Sequence, residues 1–339
     1  MKNLGKIFIL AFLQVGVILT LPLFMTDAAK ESPIVPTAAV MAEVVETDPP
    51  TVEQEVRIRL LVDGIEQEMN LEEYLVGVVA AEMPASFEPE ALKAQAVAAR
   101  SYAMFRIASN AHGGAICSDY GCCQAWLSEE QLQEKWVAAY DDYSEKIRTA
   151  VSETKGQCLS YNGEAILAAF HSSSGGKTES SENVFGQALP YLVSVESRED
   201  PAAVPNYIST VELTESELYS AVAAWNEAAA VRVSDGALLS EAVFSTSGRL
   251  MSVKLCGEAV SGSELRSIFA LRSTDVSWQR SESGLCFTVT GYGHGVGMSQ
   301  YGANNMAKLG SSWEEIVLHY YPGADIVPVS AIAGNSEVL

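Results

Sequence analysis

Positive charge is what this 339-residue chain has least of: 21 Lys and Arg stand against 43 Asp and Glu, a formal charge of −22. A duplex-binding protein needs clustered cations to displace counterions from phosphates, so no nucleic-acid partner is expected. Acidity of this size reports mainly on solubility, and it disfavours docking onto polyanions unless one face is locally basic. The chain also lacks an internal repeat, a low-complexity domain, a Gly-x-Ser-x-Gly nucleophile elbow and the Gly-Lys-Ser/Thr of a phosphate-binding loop. Its glycine-dense stretch, Gly291 to Gly297, fails the dinucleotide spacing, because the sixth position is Val296 counted from Gly291 and Met298 counted from Gly293.

What is present begins with the N-terminus. Lys2 and Lys6 precede an apolar run from Ile7 to Met25, interrupted only by Gln14, Thr20 and Pro22 among the larger positions. Its Leu, Ile, Phe and Val side chains together favour insertion by about 6 kcal/mol, more than one Gln and one Pro oppose, and the run is just long enough to span a hydrocarbon core. Basic residues before it and Asp27 and Glu31 after it place the N-terminus inside and the body outside. Residues 1–25 are therefore expected to be a cytoplasmic tip and single-pass membrane anchor. A cleaved signal peptide is the rival, although Ala28 and Ala29 make a poor cleavage site. Either way the remainder is extracytoplasmic, where disulfides among Cys117, Cys122, Cys123, Cys158, Cys256 and Cys286 are permitted.

Residues 26–55, with Pro33, Pro36, Pro49 and Pro50, read as a flexible stalk without a core. The alternation Val56, Ile58, Leu60, Val62 predicts a strand, turned by Asp63-Gly64. Asn70, with Glu73 three residues on, has the form of a capping box for a helix with an apolar stripe at Leu71, Leu75, Val78 and Val79. Pro84 ends it, so Glu82 falls in or just after the last turn. A second helix is predicted from Pro89 through Ala103, so rich in alanine that it must be buried. Further on, residues 157–161 and 165–170 read as strands around Asn162-Gly163, Thr214/Glu217 and Ser261/Glu264 as capping boxes, and residues 286–290 as a strand before the glycine loop and a helix. The fold class is mixed α/β (α+β): a body over residues 56–328 with mixed sheets packed against helices around an open groove, a subdomain inserted at about 205–285, and a disordered tail over 329–339.

Glu82 is the residue most expressive of chemistry. It follows Val76-Gly77-Val78-Val79-Ala80-Ala81, where no other polar side chain occurs. Burial there raises a carboxyl pKa, as does the negative end of a helix. Both effects keep a proton available near neutral pH, as a general acid requires; the alternative is a Glu82 turned to solvent or paired with Lys93 or Arg100. Glu88 and Glu90, beside Pro89, read as helix caps. His112, Cys117, Cys122 and Cys123 lie within twelve residues and offer a donor set suited to tetrahedral zinc, or a disulfide from Cys117 to Cys122 or Cys123. Ser172–Gly176 reads as a donor-rich ligand wall or a structural turn.

Four blocks, in order, resemble the stage II sporulation protein D family, which includes the amidase-enhancer relatives. The first runs Ala80-Ala81-Glu82-Met83-Pro84-Ala85-Ser86-Phe87 and continues at Glu90-Ala91-Leu92-Lys93-Ala94-Gln95-Ala96-Val97-Ala98-Ala99-Arg100-Ser101-Tyr102. The second is His171-Ser172-Ser173-Ser174-Gly175-Gly176-Lys177-Thr178 with Pro190-Tyr191-Leu192. The third is Gly291-Tyr292-Gly293-His294-Gly295-Val296-Gly297-Met298-Ser299-Gln300-Tyr301-Gly302-Ala303, and the last is His319-Tyr320-Tyr321-Pro322-Gly323. Coverage is about residues 57–325.

The resemblance implies a lytic transglycosylase that cuts peptidoglycan glycan strands between N-acetylmuramic acid and N-acetylglucosamine, leaving a 1,6-anhydro end, with Glu82 as catalytic acid/base. It implies a glycan groove served by Lys93, Gln95, Arg100 and Tyr102, by Ser172, Ser173, Ser174 and Gly175, and by His294, Ser299, Gln300 and Tyr301. It implies a structural zinc on His112, Cys117 and Cys123, with Cys122 extra or a fourth ligand, and no cofactor for catalysis. The implied setting is forespore engulfment, with the amidase stage II sporulation protein P and a membrane protein of the same complex as partners. A non-catalytic glycan-binding enhancer of an amidase is the competing expectation.

Overall fold

The computed structural model describes residues 55–233 and 238–332. The expected anchor at 1–25, the stalk up to residue 54 and the end of the tail lie outside the described residues. No helix among the described residues is long and apolar enough to cross a membrane.

The body opens with an antiparallel hairpin, β1 (Arg57–Val62) and β2 (Ile65–Asn70). Its turn holds Asp63 at φ 50° and Gly64 at φ 82°, the left-handed pair that matches the twist of a two-residue hairpin. Helix α1 (Leu71–Glu82) follows at once, its N-terminal amides at Glu72 and Glu73 satisfied by the Asn70 side chain. Leu71, Leu75, Val78 and Val79 are buried along the expected stripe, but Tyr74, Val76, Gly77 and Ala80 are buried too. Helix α1 is thus core on nearly every side. Each large apolar side chain there contributes about 1.5–3 kcal/mol of transfer free energy.

Helix α2 (Pro89–Ala108) begins with Pro at its first position, and its alanines at 91, 94, 96, 98, 99 and 103 are buried. Without bulky side chains it packs against α1 and the sheet behind it. Glu88 makes no side-chain cap, contrary to expectation. Glu90 accepts from Lys93 Nζ at 2.7 Å and from the Trp313 amide at 2.8 Å, so it ties α2 to a later helix. A short strand β3 (Ile116–Cys117) pairs parallel to β1, and α3 (Glu129–Trp136) and α4 (Tyr140–Glu153) complete this side. Strand β4 (Gln157–Tyr161) turns at Asn162-Gly163 into β5 (Glu164–Ala165). The predicted strand over 165–170 is only partly formed: residues 166–169 are irregular, and pairing resumes at β6 (Phe170–His171). Helix α5 (Ser181–Phe185) follows.

A second hydrophobic core belongs to the next stretch. It contains β7 (Ile208–Thr214), α6 (Glu215–Trp225), α7 (Glu227–Ala230), β8 (Leu239–Phe244), β9 (Leu250–Leu255), β10 (Glu258–Ser261), α8 (Gly262–Ile268), β11 (Val276–Arg280) and β12 (Gly284–Thr290). Two three-stranded sheets, β10-β9-β8 and β11-β12-β7, close around Leu218, Val222, Val253, Leu265, Phe287 and Val289. Both predicted capping boxes are formed, Thr214 with Glu217 and Ser261 with Glu264. The chain then returns to the first core through the glycine loop. Strand β13 (Met298–Ser299) lies parallel to β6, α9 (Gln300–Lys308) and α10 (Trp313–Tyr320) pack on α2, and β14 (Asp325–Pro328) joins β4. Residues 329–331 form a turn of 3-10 helix, and Val329 and Ile332 are buried, so the expected tail is packed over its first residues.

The two cores are tied by buried polar contacts. Glu179 accepts from Ser245 Oγ at 2.5 Å and Ser247 Oγ at 2.6 Å, in the turn between β8 and β9. Burial opposes its ionisation, but those bonds, with Asn183 and the Ser180 amide, hold its pKa below the usual carboxylate value.

Candidate active site

Glu82 is the last residue of α1, and Met83 and Pro84 turn the chain away behind it. Its carboxyl lies in a groove of about 640 Å³. One wall comes from α2, at Tyr102 and Arg106, and from the loop Tyr120–Cys123. The floor is Leu167 to Ser172, and the far wall is Phe185, Arg266 and the loop Tyr292–His294, with Gln300 beside the acid. Among the described lining residues Glu82 is the only carboxylate. Glu82 Oε1 accepts from the Ala125 amide at 2.9 Å. Burial raises the Glu82 pKa, and the Ala125 amide, the Gln300 side chain and the nearby Lys135 ammonium offset only part of that rise. Lys135 Nζ donates to Ala80 O at 2.8 Å, which satisfies one of the carbonyls left open at the end of α1.

Two histidines line the same groove as the acid, one in the floor and one in the far wall. His171 is buried, with Nδ1 3.2 Å from Val296 O, so Nδ1 carries the proton and Nε2 is an acceptor without a partner. His294 is oriented the other way, its Nδ1 accepting from the Val296 amide at 3.1 Å. Burial pulls the pKa of both down, helped by His294 and Arg249 for His171; His294 falls to about 4, with Arg266 and Arg249 adding to burial. Both rings are neutral near pH 7, fit to exchange hydrogen bonds with hydroxyls. The glycine loop is shaped by close approach: a Cβ on Gly297 (φ 71°) would collide with Ala169 O, and one on Gly295 (φ 85°) with the Arg249 guanidinium.

Of the residues anticipated at the site, Glu82, Tyr102, Ser172, His294 and Gln300 line the groove. Several others do not. Arg100 is fully buried, its guanidinium spent on both oxygens of Glu72 (3.0 and 2.5 Å) and on Gln157 O (2.9 Å). Lys93 is held by Glu90 and Glu153. Gln95 is fully buried and reaches the groove only through Gln300, whose Nε2 donates to Gln95 Oε1 at 3.4 Å. Ser173, Ser174 and Ser299 are buried. Glu199 binds the amide (2.6 Å) and hydroxyl (2.8 Å) of Ser174 and the hydroxyl of Ser299 (2.5 Å). Gly175 is packed against Asp275, and Tyr301 lies edge-on to Phe87 at 4.9 Å. These residues build the wall and are not its surface. Sequence reasoning misses Arg106, Lys135, Arg266 and Phe185. Arg106 follows Tyr102 by one helical turn and Gln95 by three, a periodicity that points to it; nothing local marks Arg266, which comes from the second core.

The metal question has a clear geometry. The donor atoms of His112, Cys117, Cys122 and Cys123 all lie within 4.8 Å of one another. Cys117, Cys122 and Cys123 are free thiols, and His112 Nε2 is 3.2 Å from Cys122 Sγ. Two sulfurs and an imidazole plus one further sulfur at this spacing fit a tetrahedral zinc. Cys122 and Cys123 also line the groove, so this loop and one groove wall are the same structure.

A mixed α/β body with one buried carboxyl in a groove is the class of protein this structure defines, and comparison with known proteins narrows it. The family model described as Stage II sporulation protein (SpoIID) matches residues 64–161. The chain is 38% identical to stage II sporulation protein D of Bacillus subtilis (strain 168) over 266 residues, covering 77% of this chain and 75% of that protein. The Bacillus amyloliquefaciens protein of the same description is also 38% identical, over 261 residues, 76% of this chain and 74% of its own length. The amidase enhancer of B. subtilis is 30% identical over 299 residues, 74% of this chain and 40% of that protein. The chain belongs to the stage II sporulation protein D family and is related to the amidase enhancer.

Proposed function

We propose that this protein is a membrane-anchored, extracytoplasmic lytic transglycosylase that cleaves peptidoglycan glycan strands during forespore engulfment. The observation that carries the reading is the single carboxyl in the groove. An ordinary glycosidase needs a second carboxylate to activate water or to attack the sugar. With one, the nucleophile must come from the substrate. Protonated Glu82 gives its proton to the glycosidic oxygen as the bond from C1 of N-acetylmuramic acid breaks. The resulting carboxylate takes the proton of the muramic C6 hydroxyl as that oxygen bonds to C1. The products are a free N-acetylglucosamine hydroxyl and a 1,6-anhydromuramic end; no water is consumed and Glu82 is left protonated. The pKa lift from burial supplies the acid, and the Ala125 amide, Gln300 and Lys135 stabilise the intermediate carboxylate. Tyr102, Ser172 and His294 are proposed as sugar contacts.

A zinc on His112, Cys117 and Cys123, with Cys122 as fourth donor, would fix the loop that forms one groove wall. It would act as a structural Lewis acid binding thiolates; the proton transfers are those of Glu82. The anchor at residues 1–25 is proposed from the apolar run. The partners proposed are an amidase acting on the same wall and a membrane protein of the engulfment complex.

Glu82→Gln tests the reading. Purified glycan is digested with wild type and variant, and the products are read by mass spectrometry. Anhydromuramic ends should come from wild type and fall by about 10²-fold or more in the variant, the scale of general acid catalysis. Binding without cleavage by either protein would instead establish the non-catalytic enhancer, the role named for the amidase enhancer.

A further inference from the structure

The proposed chemistry asks one carboxyl to be a donor at one moment and an acceptor at the next, and its neighbours must suit both states. The Ala125 amide can only donate. Lys135 on α3 is a cation that favours the carboxylate alone, while burial keeps His171 and His294 neutral. Gln300 is different. Its side chain lies beside Glu82 in the groove, near enough to favour the carboxylate, and a primary amide offers either an N–H or a carbonyl oxygen. Behind it stands a second amide, Gln95, wholly out of contact with solvent, whose Oε1 accepts from Gln300 Nε2 at 3.4 Å. Gln95 Nε2 is buried and has no partner in this arrangement. A buried donor left open is costly.

Resting on the lytic reading of Glu82, we propose that Gln95 is a positioning residue: the amides of Gln95 and Gln300 reverse together, so that Gln300 offers N–H to the Glu82 carboxylate and C=O to the Glu82 acid. In the first state Gln300 Nε2 donates to both Glu82 and Gln95 Oε1, and Gln95 Nε2 is left open. In the second, Gln300 Oε1 accepts the Glu82 O–H, and Gln95, turned over, donates its Nε2–H to the same oxygen. The unpartnered donor of one state is the used donor of the other. Burial of both amides, Gln300 being 5% exposed, keeps water from breaking the coupling. Each half of the cycle thereby ends with Glu82 held in the rotamer the next half requires.

The test has two arms on the full-length chain. In the first, glutamine-¹⁵N-labelled protein is titrated by NMR, the side-chain amides of Gln95 and Gln300 being assigned from Gln95→Leu and Gln300→Leu. Both amides should titrate with one shared midpoint, absent in Glu82→Ala. A Gln95 amide that stays constant while Gln300 moves, or two that both stay constant, overturns the proposal. In the second, glycan cleavage by Gln95→Leu should lose about tenfold or more in kcat with KM within about twofold, and the double variant should be no slower than the slower single one, since the pair acts as a unit. Losses that multiply, as independent packing defects would, or an unchanged kcat, overturn it. The NMR arm needs no turnover. Failure of the lytic reading, seen as no anhydro product from wild type, is thus separable from failure of the amide pair.

Discussion

Glu82 works against the fold that holds it. Its folded pKa lies above the value of about 4.5 it takes when unfolded, chiefly through burial. The native state therefore binds more protons than the unfolded chain between those two values, and stability declines as pH rises through that window. Below it both states are protonated and the penalty vanishes. Glu82→Gln keeps the shape and removes the ionisation. Calorimetry should find the variant and wild type equal near pH 4 and the variant more stable at pH 8, the more active residue being the less stable one. Equal melting at both pH values, or a less stable variant at pH 8, would show that the carboxyl is not desolvated. Arg100 makes the opposite case. It is a buried ion with its carboxylate satisfied, so removing it strands Glu72 and the Gln157 carbonyl. Arg100→Leu should cost about 3 kcal/mol in denaturant unfolding while leaving glycan affinity of the remaining folded protein within twofold; a loss of affinity in a stable variant would return Arg100 to the groove.

Helix α1 is legible in the sequence because its start and stop are local: an asparagine cap, a helical apolar stripe and a proline two residues after Glu82. The hairpin turns at 63–64 and 162–163 and the two capping boxes in the second core are legible for the same reason, since each is decided by residues within four positions. The orientation of α2 is not. Its alanines say that the helix is buried but not which face meets a cavity, and so Arg100 and Gln95, which share a motif with Tyr102, read as groove residues although they point into the core. Ser173, Ser174 and Ser299 mislead similarly: hydroxyls suggest a sugar wall, yet all three are buried, and those of Ser174 and Ser299 are held by Glu199, which lies outside the motifs that carry them. The cysteine loop sits between these extremes, with spacing that suggests metal and geometry that gathers all four donors. If zinc holds it, elemental analysis should find one zinc per chain, and chelation or Cys117→Ser should lower the melting temperature by roughly 5 °C, as the loss of one or two kcal/mol would for a domain of this size. A metal-free protein whose Cys117 is oxidised would establish the disulfide instead.

At the scale of the whole molecule the scarce positive charge is unevenly spent. Arg57, Arg59, Arg100, Arg148, Arg198, Arg232 and Arg280 each form an ion pair with a glutamate. Among the described residues Arg106, Arg249, Arg266 and Arg272 form none: Arg106 and Arg266 line the groove, Arg272 stacks 4.2 Å over the ring of Tyr292 on its far wall, and Arg249 is buried behind it, beneath Gly295. A chain of charge −22 thus presents a locally cationic groove. The two fields predict opposite responses to salt when the ligand is a glycan bearing carboxylates. Long-range repulsion from the net charge would be relieved by salt, and binding would tighten. Short-range attraction in a cleft with low-dielectric walls would be weakened, and binding would loosen. Arg106 and Arg266 line the groove, so a sugar bound in it would meet them at less than a Debye length, about 8 Å at physiological salt. The affinity of inactive Glu82→Gln for anionic glycan fragments should therefore fall severalfold between about 0.05 and 0.5 M NaCl, a range over which the screening length shrinks roughly threefold. Arg266→Met should flatten that slope. Affinity that rises with salt in both proteins would mean that the acidic surface, and not the groove, sets the field the wall encounters.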